Sequence, residues 1–362
     1  MGLRALVIED SLVFQKIMAE VLRGLPGVET VDVAGRGDDG LAAAGRHQPD
    51  VVFLDLHLPD MDGLDVLDRL KARWPRLKVV VVSGLSIEGA DLTIAALSRG
   101  AQQFVRKPAG SGFQQSVAML RAELEPVVGT VRAQLAPAPV PPRPVVPSPA
   151  SSPRANAAGR PHGAGFWVTA IAVSTGGPEA LSRLVPRLPA GYPMPVVIVQ
   201  HMPPLFTLSL ARSLDAKSAL TVVEAADGDV LKPGTVYLAP GGRHLTVVRE
   251  GAQSVCRLND DPPEQSVRPA ADVLFRSLAR IGGTQRVLAV VMTGMGEDGL
   301  AGVRQLKAAG GWCLTQAETT CVVYGMPRAI DTAGLNDESV ALDDLAGRLA
   351  SLANCGRAPA GV

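Results

Sequence analysis

Carboxylate, hydroxyl and ammonium side chains follow four short apolar runs in the first third of the chain. Glu9 and Asp10 follow the first run, Asp55 the second, Ser83 the third and Lys107 the fourth. Clustered carboxylates suit a hard divalent cation such as Mg²⁺, which takes oxygen ligands from acidic side chains, phosphates and water. A carboxylate beside such a cation and an ammonium group can attack phosphorus and become an acyl phosphate. If the four runs are neighbouring strands, these residues predict a phosphoryl-transfer site.

A second set of reactive side chains lies in the other half of the chain. Ser174, His201 and Asp298 come just after three further apolar runs. A serine is a weak nucleophile until an imidazole removes its proton, and the imidazole needs a carboxylate to fix its tautomer and stabilise its cation. The order serine, histidine, aspartate is no objection, because geometry rather than chain order defines a triad. These three residues are therefore a candidate catalytic triad for acyl transfer.

The residues alone leave other interpretations of this second set open. The glycine-rich turn after Ser174 could be a helix N-cap or a phosphate cradle, although G-x-G-x-x-G, Walker and G-x-S-x-G patterns are not matched. Asp298 precedes Gly299 and could simply lead into a helix. His244 also follows an apolar run and competes with His201 for the role of base.

Short apolar runs alternate with helical patterns along both halves. Runs of this length are typical of strands buried on both faces of a parallel sheet, whose functional groups collect beyond the carboxyl ends of the strands. The sequence therefore predicts an α/β protein with two doubly wound parallel-sheet domains. The predicted strands are 4–8, 51–54, 79–82 and 103–105 in the first domain, and 168–173, 196–199, 235–238 and 287–292 in the second.

Composition divides the chain between these sheets. Residues 137–153 contain eight prolines, which favour an extended, semi-rigid spacer over helix or sheet. We predict a first domain at 1–125, a Pro/Ala-rich linker at 126–165, a second domain at 166–352 and a tail at 353–362.

Charge and composition exclude several classes of function. The chain has 35 Lys and Arg against 35 Asp and Glu, so it lacks the basic excess that a general nucleic-acid binder requires. No apolar stretch is long enough to span a membrane, and the four cysteines form no C-x-x-C pair. We expect a cytoplasmic monomer with reduced thiols, no nucleic-acid partner and no membrane insertion.

The first domain resembles the response-regulator receiver family over residues 3–122. The matching residues are Val7-Ile8-Glu9-Asp10-Ser11, Leu54-Asp55-Leu56-His57-Leu58-Pro59-Asp60-Met61-Asp62-Gly63, Ser83-Gly84 and Lys107-Pro108. The resemblance implies a flavodoxin-like fold in which Asp55 accepts phosphate from a histidine kinase. It implies further that Glu9, Asp10 and Asp55 hold Mg²⁺, that Lys107 contacts the phosphoryl group, and that Ser83 and Phe104 report it.

The second domain resembles the chemotaxis protein-glutamate methylesterases over residues 168–340. The matching residues are Ser174-Thr175-Gly176-Gly177-Pro178, Gln200-His201-Met202-Pro203-Pro204, 237–244, Arg268-Pro269, 272–275, 293–299 and 321–327. The family usually has Gly-Ala before the serine, where this chain has Ala172-Val173.

This second resemblance implies an α/β serine hydrolase domain without a cofactor of its own. Ser174 would be the nucleophile, His201 the base and Asp298 the orienting carboxylate, with the Met295 backbone N–H stabilising the oxyanion. The implied substrates are glutamate γ-methyl esters on chemoreceptors, and glutamines that are deamidated. The unphosphorylated receiver would pack against the active-site edge and release it when phosphorylated. The alternative is a phosphorylation-controlled binding module without enzymatic activity.

Overall fold

The computed structural model describes residues 2–84, 86–108, 112–135, 165–281 and 286–354. The proline-rich segment 137–153, the cysteine at position 355 and most of the predicted tail lie outside these residues. Within them, no helix combines the length and the apolar composition that a membrane span requires.

Five parallel strands form the sheet of the first domain, in the order β2-β1-β3-β4-β5. Helices cover both faces, and the apolar residues of the strands point alternately to the two. The elements are β1 (Leu3–Ile8), α1 (Leu12–Arg23), β2 (Val28–Ala34), α2 (Gly37–His47), β3 (Val51–Asp55), α3 (Gly63–Arg73), β4 (Lys78–Ser83), α4 (Ile87–Ser98), β5 (Gln103–Arg106) and α5 (Phe113–Leu135).

The second domain has a seven-stranded sheet in the order β14-β13-β12-β6-β7-β9-β8, in which every pair is parallel. The hairpin β10-β11 was not predicted and lies outside this sheet. The elements are β6 (Phe166–Val173), α6 (Gly177–Leu184), β7 (Val196–Gln200), α7 (Phe206–Asp215), β8 (Thr221–Glu224), β9 (Thr235–Leu238), β10 (His244–Glu250), β11 (Gln253–Asn259), α8 (Ala271–Ile281), β12 (Arg286–Val291), α9 (Leu300–Ala308), β13 (Trp312–Gln316), α10 (Met326–Thr332), β14 (Glu338–Val340) and α11 (Leu342–Ala353).

The predicted fold class of two parallel-sheet α/β domains is confirmed. Both sheets have a point at which the strand order reverses, between β1 and β3 in the first domain and around β6 in the second. Ligands of such sheets bind beyond the strand ends at this reversal. The strands at or near these two points are β1 and β3 in the first domain and β6, β7 and β12 in the second. They lead to the candidate residues Asp10, Asp55, Ser174, His201 and Asp298.

Helix α5 extends ten residues beyond position 125, where we predicted the start of the linker. Pro126 lacks the N–H that would bond the carbonyl one turn earlier, so the helix loses one backbone hydrogen bond there. Burial outweighs this loss, because Val127, Val128 and Val131 are at most 3% exposed and pack with the core of the first domain. Their spacing from Leu124 by three, four and seven residues is the pattern of a helix with one buried face.

The two domains share an apolar interface. Helix α4 packs against α6 and α7, and the ring of Phe104 on β5 stacks on that of Phe206 with centroids 4.4 Å apart. The hydroxyls of Ser98 and Ser182 lie 3.1 Å apart across the same interface. The face of the first domain formed by α4, β5 and α5 therefore rests on the second domain.

Hydrogen exchange tests the helical extension of α5. We expect the amides of residues 127–135 to be protected, and Val131→Ser to speed their exchange by about tenfold or more, since a buried valine contributes roughly 1.5 kcal/mol. Mass spectrometry of peptides from this segment measures the effect. Immediate exchange in the unaltered protein would show that the segment is a linker.

Candidate functional site

Carboxylates from β1 and β3 meet at one end of the first sheet. Glu9, Asp10 and Asp55 each offer an oxygen within 4.8 Å of the others. The Lys107 ammonium lies 2.7 Å from Asp55 Oδ2 and 2.8 Å from Glu9 Oε2. Burial and the neighbouring charge of Asp55 raise the pKa of Glu9 to about 7, against the opposing effect of Lys107.

The donor set of this cluster fits a hard cation. Its ligand atoms are all carboxylate oxygens, the type that Mg²⁺ prefers. Glu9 is 2% exposed, and its Oε2 accepts no well-aligned hydrogen bond although Lys107 is near. Burial by itself lowers the pKa of Lys107, but the bonds to Asp55 and Glu9 outweigh it and raise that pKa. The cluster is thus short of positive charge and holds the lysine tightly.

The other two predicted switch residues lie away from the carboxylates. The Ser83 hydroxyl is buried and donates to the carbonyl of Gly89 in α4 at 3.2 Å. Phe104 turns toward the second domain, where it stacks on Phe206. Both contacts connect the end of the first sheet to the elements that form the interdomain interface.

The candidate triad lies at three neighbouring strand ends of the second sheet. Ser174 follows β6, His201 follows β7 and Asp298 lies in the loop after β12. His201 Nε2 is 2.7 Å from Asp298 Oδ2. This pairing leaves Nδ1 as the ring nitrogen for a second partner, and the described hydrogen bonds include none between it and the Ser174 hydroxyl. Such bonds are often completed only when substrate is bound.

Asp298 is held at the N-terminus of helix α8. Its carboxylate is 3% exposed and accepts hydrogen bonds from the backbone N–H groups of Ala271 at 2.6 Å and Asp272 at 2.9 Å. Burial raises the pKa of Asp298, but the bond and charge of His201 and the two amides more than compensate, so the pKa lies below its ordinary value. His201 and, to a lesser extent, the amides of α8 therefore favour the ionised form that an orienting carboxylate needs.

The turn after Ser174 exposes the serine at the head of β6. The N–H of Gly177 donates to the carbonyl of Ser174 at 2.8 Å and closes a four-residue turn. Gly176 adopts φ +78° and ψ 0° at the third position, which is the conformation of a type II turn and favours glycine. Thr293 fixes the turn from the other side, since its hydroxyl donates to the Thr175 carbonyl at 2.9 Å.

His244, the competing histidine, belongs to the core. It is fully buried, its Nδ1 accepts the N–H of Ala270 at 3.2 Å, and its Nε2 lies 3.1 Å from the Pro262 carbonyl oxygen. Both ring nitrogens are therefore occupied by backbone partners. His201 is the histidine of the pair that faces Asp298.

Ser174 and His201 open into a cavity of about 360 Å³ between the two domains. The first domain contributes Phe104, Arg106 and Glu123 to its wall. The extension of α5 lies beside it, where the Thr130 hydroxyl is 3.6 Å from Met295 Sδ and Gln134 Nε2 donates to the Val322 carbonyl at 2.7 Å. The first domain therefore covers the candidate site.

Comparisons with known proteins match both halves of the chain. The family profile described as CheB methylesterase matches residues 169–349, and that of the response regulator receiver domain matches residues 5–117. A protein-glutamate methylesterase/protein-glutamine glutaminase of Myxococcus xanthus is 41% identical over 95% of this chain and 96% of its own length. The chain belongs to the CheB methylesterase family.

Two further relatives match nearly the whole chain and about half of it, respectively. A protein-glutamate methylesterase/protein-glutamine glutaminase of Geobacillus kaustophilus is 42% identical over 97% of this chain and 98% of its own length. The crystal structure of the CheB methylesterase catalytic domain of Thermotoga maritima is 40% identical, with a TM-score of 0.50, over 52% of this chain and 98% of that one. The resemblances drawn from the motifs are confirmed for both domains.

Several residues of this CheB site were given no role by the sequence analysis. Gln200 belonged to a quoted motif, but nothing in its type predicted a contact with Ser174. Phe206 and Gln134 were missed because their partners, Phe104 and Val322, are 102 and 188 residues away in the chain. The amides of α8 carry no side-chain signal at all.

The capping of Asp298 has a consequence for stability. Because its folded pKa is depressed, Asp298 stabilises the domain above its unfolded pKa of about 3.9 and loses this contribution as the pH falls through the lower folded pKa. We expect Asp298→Asn to lower the free energy of unfolding at pH 7 by about 3 kcal/mol, since an amide cannot satisfy both N–H groups and His201. Urea unfolding of both proteins between pH 7 and pH 3 should show this difference shrinking below pH 4. A difference that stays constant with pH would contradict the assignment.

Proposed function

We propose that this protein is a phosphorylation-activated serine esterase that hydrolyses glutamate γ-methyl esters on chemoreceptors. The arrangement of Ser174, His201 and Asp298 at adjacent strand ends, with Asp298 capped by α8, carries the proposal. The names of the full-length relatives support the substrate class. The protein would act in the cytoplasm.

We infer from the contacts of His201 which ring nitrogen carries the proton. The ionised Asp298 needs a donor, so Nε2 carries the proton and Nδ1 is free to accept one. Ser174 Oγ attacks the ester carbonyl carbon while Nδ1 takes the hydroxyl proton. The oxyanion forms beside the backbone N–H of Met295, which stabilises the developing charge.

The tetrahedral intermediate then collapses to the acyl-enzyme, which water hydrolyses. His201 returns its proton to the methoxy oxygen as the carbon–oxygen bond breaks, and methanol leaves. A water molecule then attacks the acyl carbon while His201 takes one of its protons. His201 returns this proton to Ser174 Oγ as the bond from Oγ to the acyl carbon breaks, and the released glutamic acid loses its proton to solvent. A glutamine side chain would follow the same route with ammonia as the leaving group.

Asp55 would receive phosphate from a histidine kinase in the same pathway. Glu9, Asp10 and Asp55 would hold Mg²⁺, which when bound supplies charge that offsets the incoming phosphoryl group. Lys107 lies within 2.7 Å of Asp55 and would exchange that contact for one to the phosphoryl oxygens. Ser83 and Phe104 would carry the change to α4 and to the interdomain interface.

The contacts around the cavity support a closed, unphosphorylated state. Phe104, Thr130 and Gln134 of the receiver contact the catalytic domain at Phe206, Met295 and Val322 respectively. We propose that phosphorylation of Asp55 weakens these contacts and opens the cavity to a receptor segment.

The enzymatic assignment is tested by methanol release from methylated receptor membranes. We expect Ser174→Ala to lower the rate by three orders of magnitude or more, because removal of a triad nucleophile leaves only binding and oxyanion stabilisation. Retained receptor binding by this variant would show that only chemistry is lost. Full activity of Ser174→Ala would refute the esterase.

The closed state is tested by the basal activity of Gln134→Ala. Its bond to Val322 contributes about 1 kcal/mol, so we expect roughly fivefold more methanol release without a phosphodonor. A small phosphodonor should activate the unaltered enzyme but not Asp55→Ala.

Gln114→Ala, the same substitution on the exposed first turn of α5, is the matched control and should keep the basal rate. Basal activity of Gln134→Ala equal to that of the control would show that α5 does not restrain the site.

A further inference from the structure

Gln200 is the last residue of β7 and directly precedes His201. It is 1% exposed, and its side chain reaches toward the head of β6. Its amide nitrogen, Nε2, donates to the backbone carbonyl of Ser174 at 3.0 Å and to that of His201 at 3.3 Å. One side-chain amide therefore joins the backbones of the candidate nucleophile and the candidate base.

The orientation of this amide is fixed by its partners. Two carbonyl oxygens can only accept, so the NH₂ group must face them and the amide oxygen must face away. That oxygen, Oε1, is buried and has no hydrogen-bond partner among the described residues. An unpaired buried acceptor costs about 1–3 kcal/mol, so an apolar side chain would serve packing better at this position.

Gly177 is what admits the amide oxygen. A Cβ at this position would lie 1.8 Å from Gln200 Oε1, so any larger residue would displace the side chain. The N–H of Gly177 also donates to the Ser174 carbonyl, which thus has two donors, one from the turn and one from β7. The Ser174 backbone is held both along its own chain and across the sheet.

We propose that Gln200 is a positioning residue that sets the separation of Ser174 and His201 through their backbone carbonyls. This inference rests on the proposed esterase function. The described hydrogen bonds include none between the side chains of Ser174 and His201. The alignment of these two side chains therefore depends on how firmly the ends of β6 and β7 are held. Displacement of a reacting group by about 1 Å can lower a rate by roughly 100-fold.

Gln200→Met tests the donor without changing the length of the side chain. We expect kcat for methanol release to fall about 10- to 100-fold while KM stays within about twofold, because the amide contacts no substrate. Gln200→Glu should lose at least as much, since a carboxylate would face two carbonyl oxygens. If Gln200 only fills space, Gln200→Met keeps the wild-type kcat, and that result would overturn the proposal.

A matched control separates positioning from general destabilisation. Tyr192→Phe removes a buried hydrogen bond of 2.7 Å to Thr169, in the middle of β6 and five residues before Ser174. We expect this variant to have a lower Tm and the wild-type kcat per serine titrated with an organophosphonate. An equal loss of kcat in Tyr192→Phe would contradict a specific role for Gln200. Ser174→Ala identifies a failure of the esterase assignment itself, since its activity would then persist.

Discussion

A stacked pair of phenylalanine rings lies between the two candidate sites of this chain. Phe104 lies three residues before Lys107, whose ammonium binds Asp55, and Phe206 lies five residues after His201. The pair therefore lies between the strand that leads to Lys107 and the loop that carries the candidate base, His201. Helix α4 contains Gly89, whose carbonyl accepts the hydrogen bond from the Ser83 hydroxyl. This helix packs against α7, of which Phe206 is the first residue. A shift of β5 or α4 is therefore expected to move α7 and the loop before it. Packed interfaces switch between discrete arrangements and do not deform continuously.

The two sites compensate the charge of their buried carboxylates with different positive groups. Both place buried carboxylates at the carboxyl ends of parallel strands, where no strand N–H is left to pair with them. In the receiver the compensating charge is an ammonium on a flexible side chain, Lys107, which can change partners. In the catalytic domain it is the N-terminus of α8, whose amides are fixed in place around Asp298. A mobile counter-charge suits a switch, and a fixed one suits a catalyst that must keep one protonation state.

The sequence predicted what depends on local pattern and missed what depends on contacts between distant residues. Apolar runs predicted four strands of each sheet and missed β2, β8, β13 and β14. The polar residues that follow the predicted strands gave the candidate residues at each edge. The α5 extension could have been found, since Leu124, Val127, Val128 and Val131 have helical spacing, but we assigned residues 126–165 to a linker on their composition. The stack of Phe104 on Phe206 and the bond from Gln134 to Val322 join residues far apart in the chain, and nothing in their types predicts the pairing. The capping of Asp298 depends on backbone amides, which every sequence contains.

In the mechanism we propose, phosphorylation of Asp55 controls access to Ser174. Access is through the cavity of about 360 Å³ that both domains line. The most direct measurement is the rate at which an organophosphonate labels Ser174 in the full-length protein, with and without a small phosphodonor and Mg²⁺. We predict that the phosphodonor speeds the labelling of Ser174 in the unaltered protein and does not speed it in Asp55→Ala. Equal labelling rates in the two states of the unaltered protein would contradict it.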